Sequence, residues 1–154
     1  MIEHEKDQVT TSELLDFIKN SGHFSEVTQF MDEINDFPVF NNYLYEVMKR
    51  HGFSATDVIK ESRFERSYFY HLLSGHKKNP SRNTVIRIAF CIHATLDETQ
   101  QLLRLASTGM LYPKILKDAA LIYAIEKNYS MQEANHLLLS LDLAPLYQEE
   151  SNLP

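Results

Sequence analysis

Several side chains that can bind a polyanion follow one another in the short segment "ERSYFYHLLS", residues 65–74. They are Arg66, Ser67, Tyr70 and His71. Arginine and histidine can hydrogen-bond to guanine edges or to phosphate oxygens, and a serine hydroxyl can contact either group. A glycine and then the basic loop "HKKNPSR" follow directly. This order of residue types is suited to contact with nucleic acid.

The apolar residues of the same segment have the spacing of an amphipathic helix. Phe69, Leu72 and Leu73 lie three and four positions apart, so they should share one face and anchor the helix to a core. The polar side chains then point outward. Gly75 predicts the end of the helix, because glycine adopts left-handed backbone angles without a steric cost. We therefore predict a short helix over residues 65–74 with an exposed polar face.

A second short helix is predicted just before the first, over the sequence "ATDVIKES". Ser54 followed three residues later by Asp57 is a capping pattern, in which each side chain accepts a hydrogen bond from the other residue's amide. A brief turn at Arg63 and Phe64 separates the two helices. Two short helices joined by a tight turn are the sequence outline of a helix-turn-helix.

The rest of the chain also has helical periodicity. Apolar residues recur at intervals of three and four, and no segment shows the strict alternation of a strand. The same capping pattern marks three further helix starts: Thr10 with Glu13, Thr95 with Glu98, and Ser130 with Glu133. An all-α fold is therefore predicted.

The C-terminal part of the chain contains an internal repeat. An offset of 35 residues matches the following pairs: Ala89 with Ala124, Glu98 with Glu133, Leu102 and Leu103 with Leu137 and Leu138, and Leu111-Tyr112 with Leu146-Tyr147. Each copy has the pattern of an apolar helix, a capped turn and a second helix. Because one helical hairpin cannot bury its apolar face alone, the copies should pack on each other or on the segment before them. A coincidence between leucine-rich helices is the alternative.

Charge is distributed unevenly along the 154 residues, whose net charge is −6. Residues 1–38 hold two basic and nine acidic side chains, and residues 96–154 hold four basic and eight acidic ones. Residues 39–95 hold nine basic and four acidic side chains. The local field, not the net charge, decides where a polyanion docks. We divide the chain into acidic N-terminal helices (1–38), a helix-turn-helix DNA-binding domain (39–95) and a C-terminal helical extension (96–154).

Residues 53–80, "FSATDVIKESRFERSYFYHLLSGHKKNP", resemble the helix-turn-helix of the lambda-repressor-like, Cro-type regulators, also called the Xre family. The resemblance covers about residues 39–106 and is most specific over residues 67–95. It implies a lambda-repressor-like domain that reads double-stranded DNA through the major groove. It implies base contacts from Arg66, Ser67 and His71, with Tyr70 beside them. It also implies phosphate contacts from Lys77, Lys78, Asn79, Arg82 and Asn83.

Two positions depart from the family pattern. The family often has alanine where Ile59 stands and glycine where Arg63 stands. Ile59 enlarges the contact between two helices. Arg63 must accept the backbone angle that the turn demands, and a positive φ is costly outside glycine and asparagine. Both departures bear on the interhelix geometry.

The DNA interpretation requires a dimer. One recognition helix reaches only a few base pairs, and such proteins place two helices about 34 Å apart on a two-fold site. The candidate dimer surfaces are the N-terminal helices, residues 12–35, and the C-terminal hairpins. The segment "HLLLSLDLAPLY" is apolar at more positions than one buried face needs, which favours a partner surface there. Closure of the core by residues 137–146 is the alternative.

Other chemistry has little support in the sequence. His71 with His76, and Cys91 with His93, lack the spacing of zinc ligands. No glycine-rich phosphate loop or nucleophile elbow occurs. We therefore expect no catalytic residue, no metal and no cofactor. The adjacent aromatic residues 68–70 point in different directions on a helix, which disfavours a platform for unpaired bases.

Targeting signals are also lacking. No stretch resembles a signal peptide or approaches the roughly 18 apolar residues of a membrane span, so we expect a cytoplasmic protein with no membrane partner. The lone cysteine, Cys91, cannot form an intramolecular disulfide, and its apolar neighbours predict a buried thiol.

The rival function is a helix-turn-helix-derived protein-interaction module that does not bind DNA. The net charge, the altered turn at Arg63 and the apolar C-terminal side chains favour it. The surface around residues 66–82 discriminates the two functions. A protein partner is favoured if Glu61 and Glu65 interrupt the basic face, and DNA is favoured if they do not.

Overall fold

Short helices connected by tight turns make up the computed structural model, which describes residues 10–33 and 39–148. The helices are α1 Thr11–Asn20, α2 Phe24–Glu33, α3 Phe40–His51, α4 Ala55–Ser62, α5 Arg66–Ser74, α6 Arg82–Cys91, α7 Leu96–Leu105, α8 Leu116–Glu126 and α9 Met131–Ser140. No strand occurs in these two ranges. The predicted all-α class is therefore confirmed for the described residues.

The chain forms two compact units, residues 1–38 and residues 39–154. In the first unit, the ring of Phe17 on α1 stacks on that of Phe30 on α2, with 4.2 Å between the ring centroids. The sequence placed these helices within residues 12–35, of which 34 and 35 lie outside the described part. The predicted segments 39–95 and 96–154 both fall in the second unit, where they share one hydrophobic core.

The helices are too short to span a bilayer. The longest described helix, α3, has 12 residues, whereas a membrane span needs about 20 apolar residues. Among the residues that the structure describes, no helix combines the length and the hydropathy needed to cross a membrane.

Each capping pattern found in the sequence lies at a helix start. Reciprocal capping boxes form at three of them, Thr10, Ser54 and Thr95. At the fourth, the Ser130 hydroxyl accepts a hydrogen bond from the amide of Glu133. These bonds satisfy amide groups that have no partner within the helix. Ser81, which the sequence analysis did not single out, caps α6 in the same way.

The core beneath α4 and α5 comes from four helices. α5 packs on α3 and α4, and α4 also packs on α6. Phe69 and Leu72 of α5 are fully buried, as are Leu44 of α3 and Val58 of α4. This burial fixes the rotation of α5 about its own axis, so its polar face is turned away from the core.

The turn between α4 and α5 has left-handed backbone angles at Arg63, with a φ of 64°. Two hydrogen bonds to the preceding residue stabilise the turn. The guanidinium of Arg87 donates to the Ser62 carbonyl oxygen, and the Phe64 amide donates to the Ser62 hydroxyl. The turn thus demands the conformation that glycine adopts without strain, and an arginine adopts it here.

The offset of 35 residues recurs in the three-dimensional structure. α7 and α9 begin and end at positions related by this offset. Left-handed backbone angles also occur at related positions, in the pair His93 and Asn128 and in the pair Ser107 and Asp142. The two copies are therefore equivalent in local conformation as well as in sequence pattern.

One polar side chain in each copy binds the backbone at the end of that copy. Gln100 donates to the carbonyl oxygen of Leu111 and accepts from its amide, at 2.9 and 2.8 Å. Its counterpart Asn135 is fully buried, accepts from the amide of Leu146 at 2.6 Å and donates to the carbonyl oxygen of Tyr147 at 3.2 Å. The leucine amide of each Leu-Tyr ending is thus bound equivalently, whereas the carbonyl that accepts is that of Leu111 in the first copy and that of Tyr147 in the second.

The two copies also bind each other. Asn83 in the first copy donates to the carbonyl oxygen of Leu146 in the second, at 2.6 Å. Asp118, the equivalent position in the second copy, accepts from the amide of Tyr112 in the first, at 2.9 Å. Each copy therefore binds the end of the other, and the prediction that the copies pack together is confirmed.

Replacing Ser107 with glycine is expected to raise the free energy of unfolding by about 0.5–1 kcal/mol. Ser107 is exposed and has a φ of 58°. Glycine removes the clash of Cβ in this conformation, although it also adds entropy to the unfolded chain. Urea denaturation should show a higher midpoint with an unchanged slope. The matched variant Asn128→Gly should gain less, because asparagine tolerates a φ of 56° better than serine does. Equal gains would contradict this explanation.

Candidate nucleic-acid interface

The outer face of α5 carries the side chains predicted to contact bases. All of them are exposed: Arg66, Ser67, Tyr70 and His71. The opposite face of the helix is anchored by Phe69 and Leu72, both 0% exposed. Because α5 cannot turn without exposing those two residues, the polar face is presented in a fixed orientation.

Arg66 lies in the first turn of α5 with its guanidinium over the ring of Tyr70, 5.6 Å from the centroid. One turn later, the ring of His71 lies 5.9 Å from that of His76. Nδ1 of His76 is 3.0 Å from the hydroxyl of Ser74, which connects the loop to the end of the helix. Within the described residues, Arg66 donates no hydrogen bond, so its donors are available to a ligand.

The loop after α5 begins at Gly75, whose φ is 83°. A Cβ at this position would lie 3.2 Å from Nδ2 of Asn41, which donates to the carbonyl oxygen of Leu73. Glycine therefore suits both the backbone angle and the space available. The loop next presents exposed side chains predicted to contact phosphate: Lys77, Lys78 and Asn79. The ammonium of Lys77 lies over the ring of Tyr68, 4.6 Å from its centroid.

The other two predicted phosphate contacts, Arg82 and Asn83, make internal contacts instead. The guanidinium of Arg82 donates to both carboxylate oxygens of Asp118 and to the carbonyl oxygens of residues 109–110. Asn83 donates to Leu146. These side chains connect the start of α6 to the C-terminal hairpin. In this conformation their donors are not directed to a ligand, which differs from what the family resemblance implies.

Carboxylates do not neutralise the cations of this face. In the described residues, ion pairs within 4.0 Å join Glu98 to Arg50 and His51, and Asp118 to Arg82. Glu61 and Glu65 are exposed and take part in no ion pair with a described residue. The cations of α5 and of the following loop therefore keep their charge available to an anionic ligand.

A groove of about 540 Å³ adjoins the same face, between α3, the start of α4 and α5. It is lined by Tyr45, Met48, Lys49, Phe53, Ser54, Ala55, Tyr70, Leu73 and Ser74. Tyr70 belongs both to this groove and to the outer face of α5. A molecule in the groove would therefore contact a side chain predicted to reach the bases.

Two further cations were not recognised from the sequence as possible ligand contacts. The guanidinium carbons of Arg63 and Arg87 lie 4.7 and 5.9 Å from the centroid of the Tyr147 ring. Arg87 also lies over the ring of Phe64, at 4.3 Å. Burial lowers the pKa of Arg87 from its ordinary value. No local pattern brings these residues together, because Tyr147 is far from both arginines in the sequence.

Residues 10–33 and 39–148 contain no cluster of metal ligands and no reactive thiol. No three His, Cys, Asp or Glu side chains of these ranges lie close enough together to bind a metal ion. Cys91 is buried beside the sulfur of Met131, at 4.0 Å. Burial raises the pKa of its thiol to about 12. The thiol is therefore protonated at neutral pH and unreactive, since the thiolate is the nucleophile.

The arrangement comprises a buried anchor, an exposed polar face on α5 and an adjacent basic loop. It can bind an extended polyanion along α5 and the loop that follows it. In comparisons with protein-family models, with curated proteins and with solved structures, the chain matched none of them.

Proposed function

We propose that the protein is a sequence-specific transcriptional regulator that binds double-stranded DNA as a dimer in the cytoplasm. α4 and α5 are its helix-turn-helix, of the lambda-repressor-like, Cro-type (Xre) class. The observation that carries the proposal is the orientation of α5. Phe69 and Leu72 of its apolar face are fully buried, and its outer face offers donors that no described carboxylate neutralises.

The N-terminal end of α5 enters the major groove. Arg66 and Ser67 lie in its first turn, where the recognition helices of this class approach the bases. An arginine can donate two hydrogen bonds to a guanine edge, and such a pair discriminates against a wrong base by about 1–3 kcal/mol. Tyr70 and His71 lie one turn further along and contact the flanking bases or the backbone.

The loop after α5 binds the phosphate backbone. Lys77, Lys78 and Asn79 are exposed and follow the helix directly, so they approach the strand beside the groove that α5 occupies. Arg82 and Asn83 are left out of this set because the C-terminal hairpin uses their donors. With few phosphate contacts per subunit, affinity depends strongly on a second subunit.

Capture of sheared genomic DNA on the immobilised protein, followed by sequencing, tests the proposal. We expect a recurrent two-fold motif. The double variant Arg66→Ala, His71→Ala should lose this motif while keeping the fold, because both side chains are exposed. Loss of the Arg66 contact alone should lower affinity for the preferred sequence about tenfold. An unchanged motif in the double variant would refute the assignment of α5 as the reading helix.

A matched control variant is available on another helix. Arg104 is exposed on α7 and contacts the sulfur of Met110. Arg104→Ala removes one positive charge far along the chain from α5. It should therefore preserve the motif and weaken binding to all sequences only slightly.

The second candidate function is a protein-interaction module. An exposed apolar cluster just before and at the start of α8 favours it: Met110, Tyr112, Ile115 and Leu116 are 43%, 53%, 52% and 61% exposed. Apolar side chains grouped in this way are typical of a protein contact. Folded protein that enriches no DNA sequence in the capture experiment would favour this function.

A further inference from the structure

Arg63 occupies a position that its backbone conformation does not favour. Its φ of 64° is costly for any residue with a Cβ, and strain of this kind often marks a functional position. In the described residues the Arg63 side chain makes no hydrogen bond and no ion pair. Its guanidinium carbon lies 4.7 Å from the centroid of the Tyr147 ring. Contact with one aromatic ring does not by itself explain why an arginine stands at a position with a positive φ.

A second guanidinium lies beside the same ring. Arg87 is partly buried between α4 and the C-terminal segment, and its Nη2 donates to the Ser62 carbonyl oxygen. Its Nε is buried without a hydrogen-bond partner. A buried donor without a partner is unfavourable. Arg63 and Arg87 form no ion pair with a carboxylate of the described residues, so the two neighbouring cations repel each other. An anion bound beside the two guanidiniums would lower this repulsion.

The start of α5 adds to the positive potential at this place. Its N-cap residue, Glu65, makes no side-chain cap, so the first amides of the helix lack an internal acceptor. Arg63 is two residues before that cap. The helix N-terminus, with its partial positive charge, therefore lies close in the chain to a guanidinium that forms no ion pair with any carboxylate that the structure describes.

We propose that Arg63 and Arg87 form a binding site for one phosphate group at the turn between α4 and α5. Both guanidiniums lie beside the ring of Tyr147, with their carbons 4.7 and 5.9 Å from its centroid. The phosphate belongs either to a DNA backbone or to a small phosphate-bearing molecule. The site extends the basic surface beyond the loop at residues 77–79, and its existence does not depend on DNA reading by α5.

Thermal unfolding in sodium phosphate and in sodium chloride at matched ionic strength tests the site with inorganic phosphate as the probe. At ten times Kd, phosphate should raise the Tm of the wild-type chain by about 4 °C over chloride. Arg63→Gln should remove this difference. Because Arg63 is exposed, this variant should fold. Arg104→Gln, which removes an exposed arginine on α7, should keep the full difference.

A second arm measures the salt dependence of binding to a DNA duplex. If the phosphate comes from DNA, Arg63→Gln should lower the slope of log Kd against log salt by about 0.9 for each bound subunit, and Arg104→Gln should leave it unchanged. A phosphate effect on Tm that is lost in Arg63→Gln supports the site even if the wild-type chain binds no DNA. The proposal is overturned if Arg63→Gln behaves as the wild type in both arms.

Discussion

Replacement of Asp118 with alanine is expected to lower the free energy of unfolding by about 3 kcal/mol. Asp118 is 2% exposed and accepts two hydrogen bonds from the Arg82 guanidinium and one from the Tyr112 amide. The substitution leaves both donors without their acceptor. Arg82 is also left without its ion-pair partner, in a site where its side chain is only 34% exposed. Loss of one partner of such a pair costs much more than the intact pair contributes.

Urea denaturation of Asp118→Ala, Arg82→Ala and the double variant measures this loss. We expect a coupling energy of about 2 kcal/mol, because each single substitution already breaks the pair. Glu126→Gln, which alters an exposed carboxylate on the same helix, should change stability by less than about 0.5 kcal/mol. Additive effects of the two alanine substitutions would contradict the pairing.

The pairing of Asp118 also predicts a dependence on pH. Burial alone would raise the pKa of Asp118, but the hydrogen bonds from Arg82 and from the Tyr112 amide outweigh it and hold the pKa below its ordinary value. The stability that it contributes is therefore present above the pKa of the unfolded chain, about 3.9, and is lost as the pH falls further. The alanine variant should lack this part of the acid sensitivity.

Replacement of Glu98 with glutamine is also expected to cost about 3 kcal/mol at neutral pH. Glu98 caps α7 through the amide of Thr95 and binds Arg50 and His51, two residues of α3. Its side chain is 7% exposed. Burial alone would raise its pKa, but these partners lower it from the ordinary value of 4.5 to about 2. One carboxylate thus completes a helix cap and connects two helices.

The pH dependence separates this effect from a simple loss of packing. Because the folded pKa is the lower one, the contribution of Glu98 is present above about pH 4.5 and is lost as the pH falls towards about 2. Urea denaturation across this range should show the wild type and Glu98→Gln converging at acid pH. A constant difference would contradict the charge-based explanation. Asp97→Asn, an exposed change in the same helix turn, should cost only about 0.5 kcal/mol.

Local rules predicted the elements of the site because their signals lie within a few residues of each other. The spacing of Phe69 and Leu72 gave the buried face of α5, and Gly75 gave its end. The capping patterns gave the starts of four helices. The repeat could be found in the same way. The helices and caps of each hairpin follow from the sequence of that hairpin, so the two copies show the same pattern 35 residues apart.

The long-range pairings could not be predicted in this way. Glu98 was recognised as a capping residue, but nothing in the sequence near it indicates Arg50 and His51 as partners. The family resemblance implied a phosphate contact for Arg82, yet packing of the hairpins brings Asp118 to it. A side chain satisfies the nearest compatible partner in space, and tertiary packing decides which partner that is.

The interdependence of the two repeat copies has a consequence for synthesis on the ribosome. Asn83 near the start of α6 takes its acceptor from Leu146, and Arg63 and Arg87 contact the ring of Tyr147. Residues 55–74, which form α4 and α5, are translated before these partners. The contacts of α6 with Leu146 and of Arg63 with Tyr147 can form only after residues 146 and 147 have been synthesised. The turn at Arg63 therefore reaches its native surroundings only late in translation.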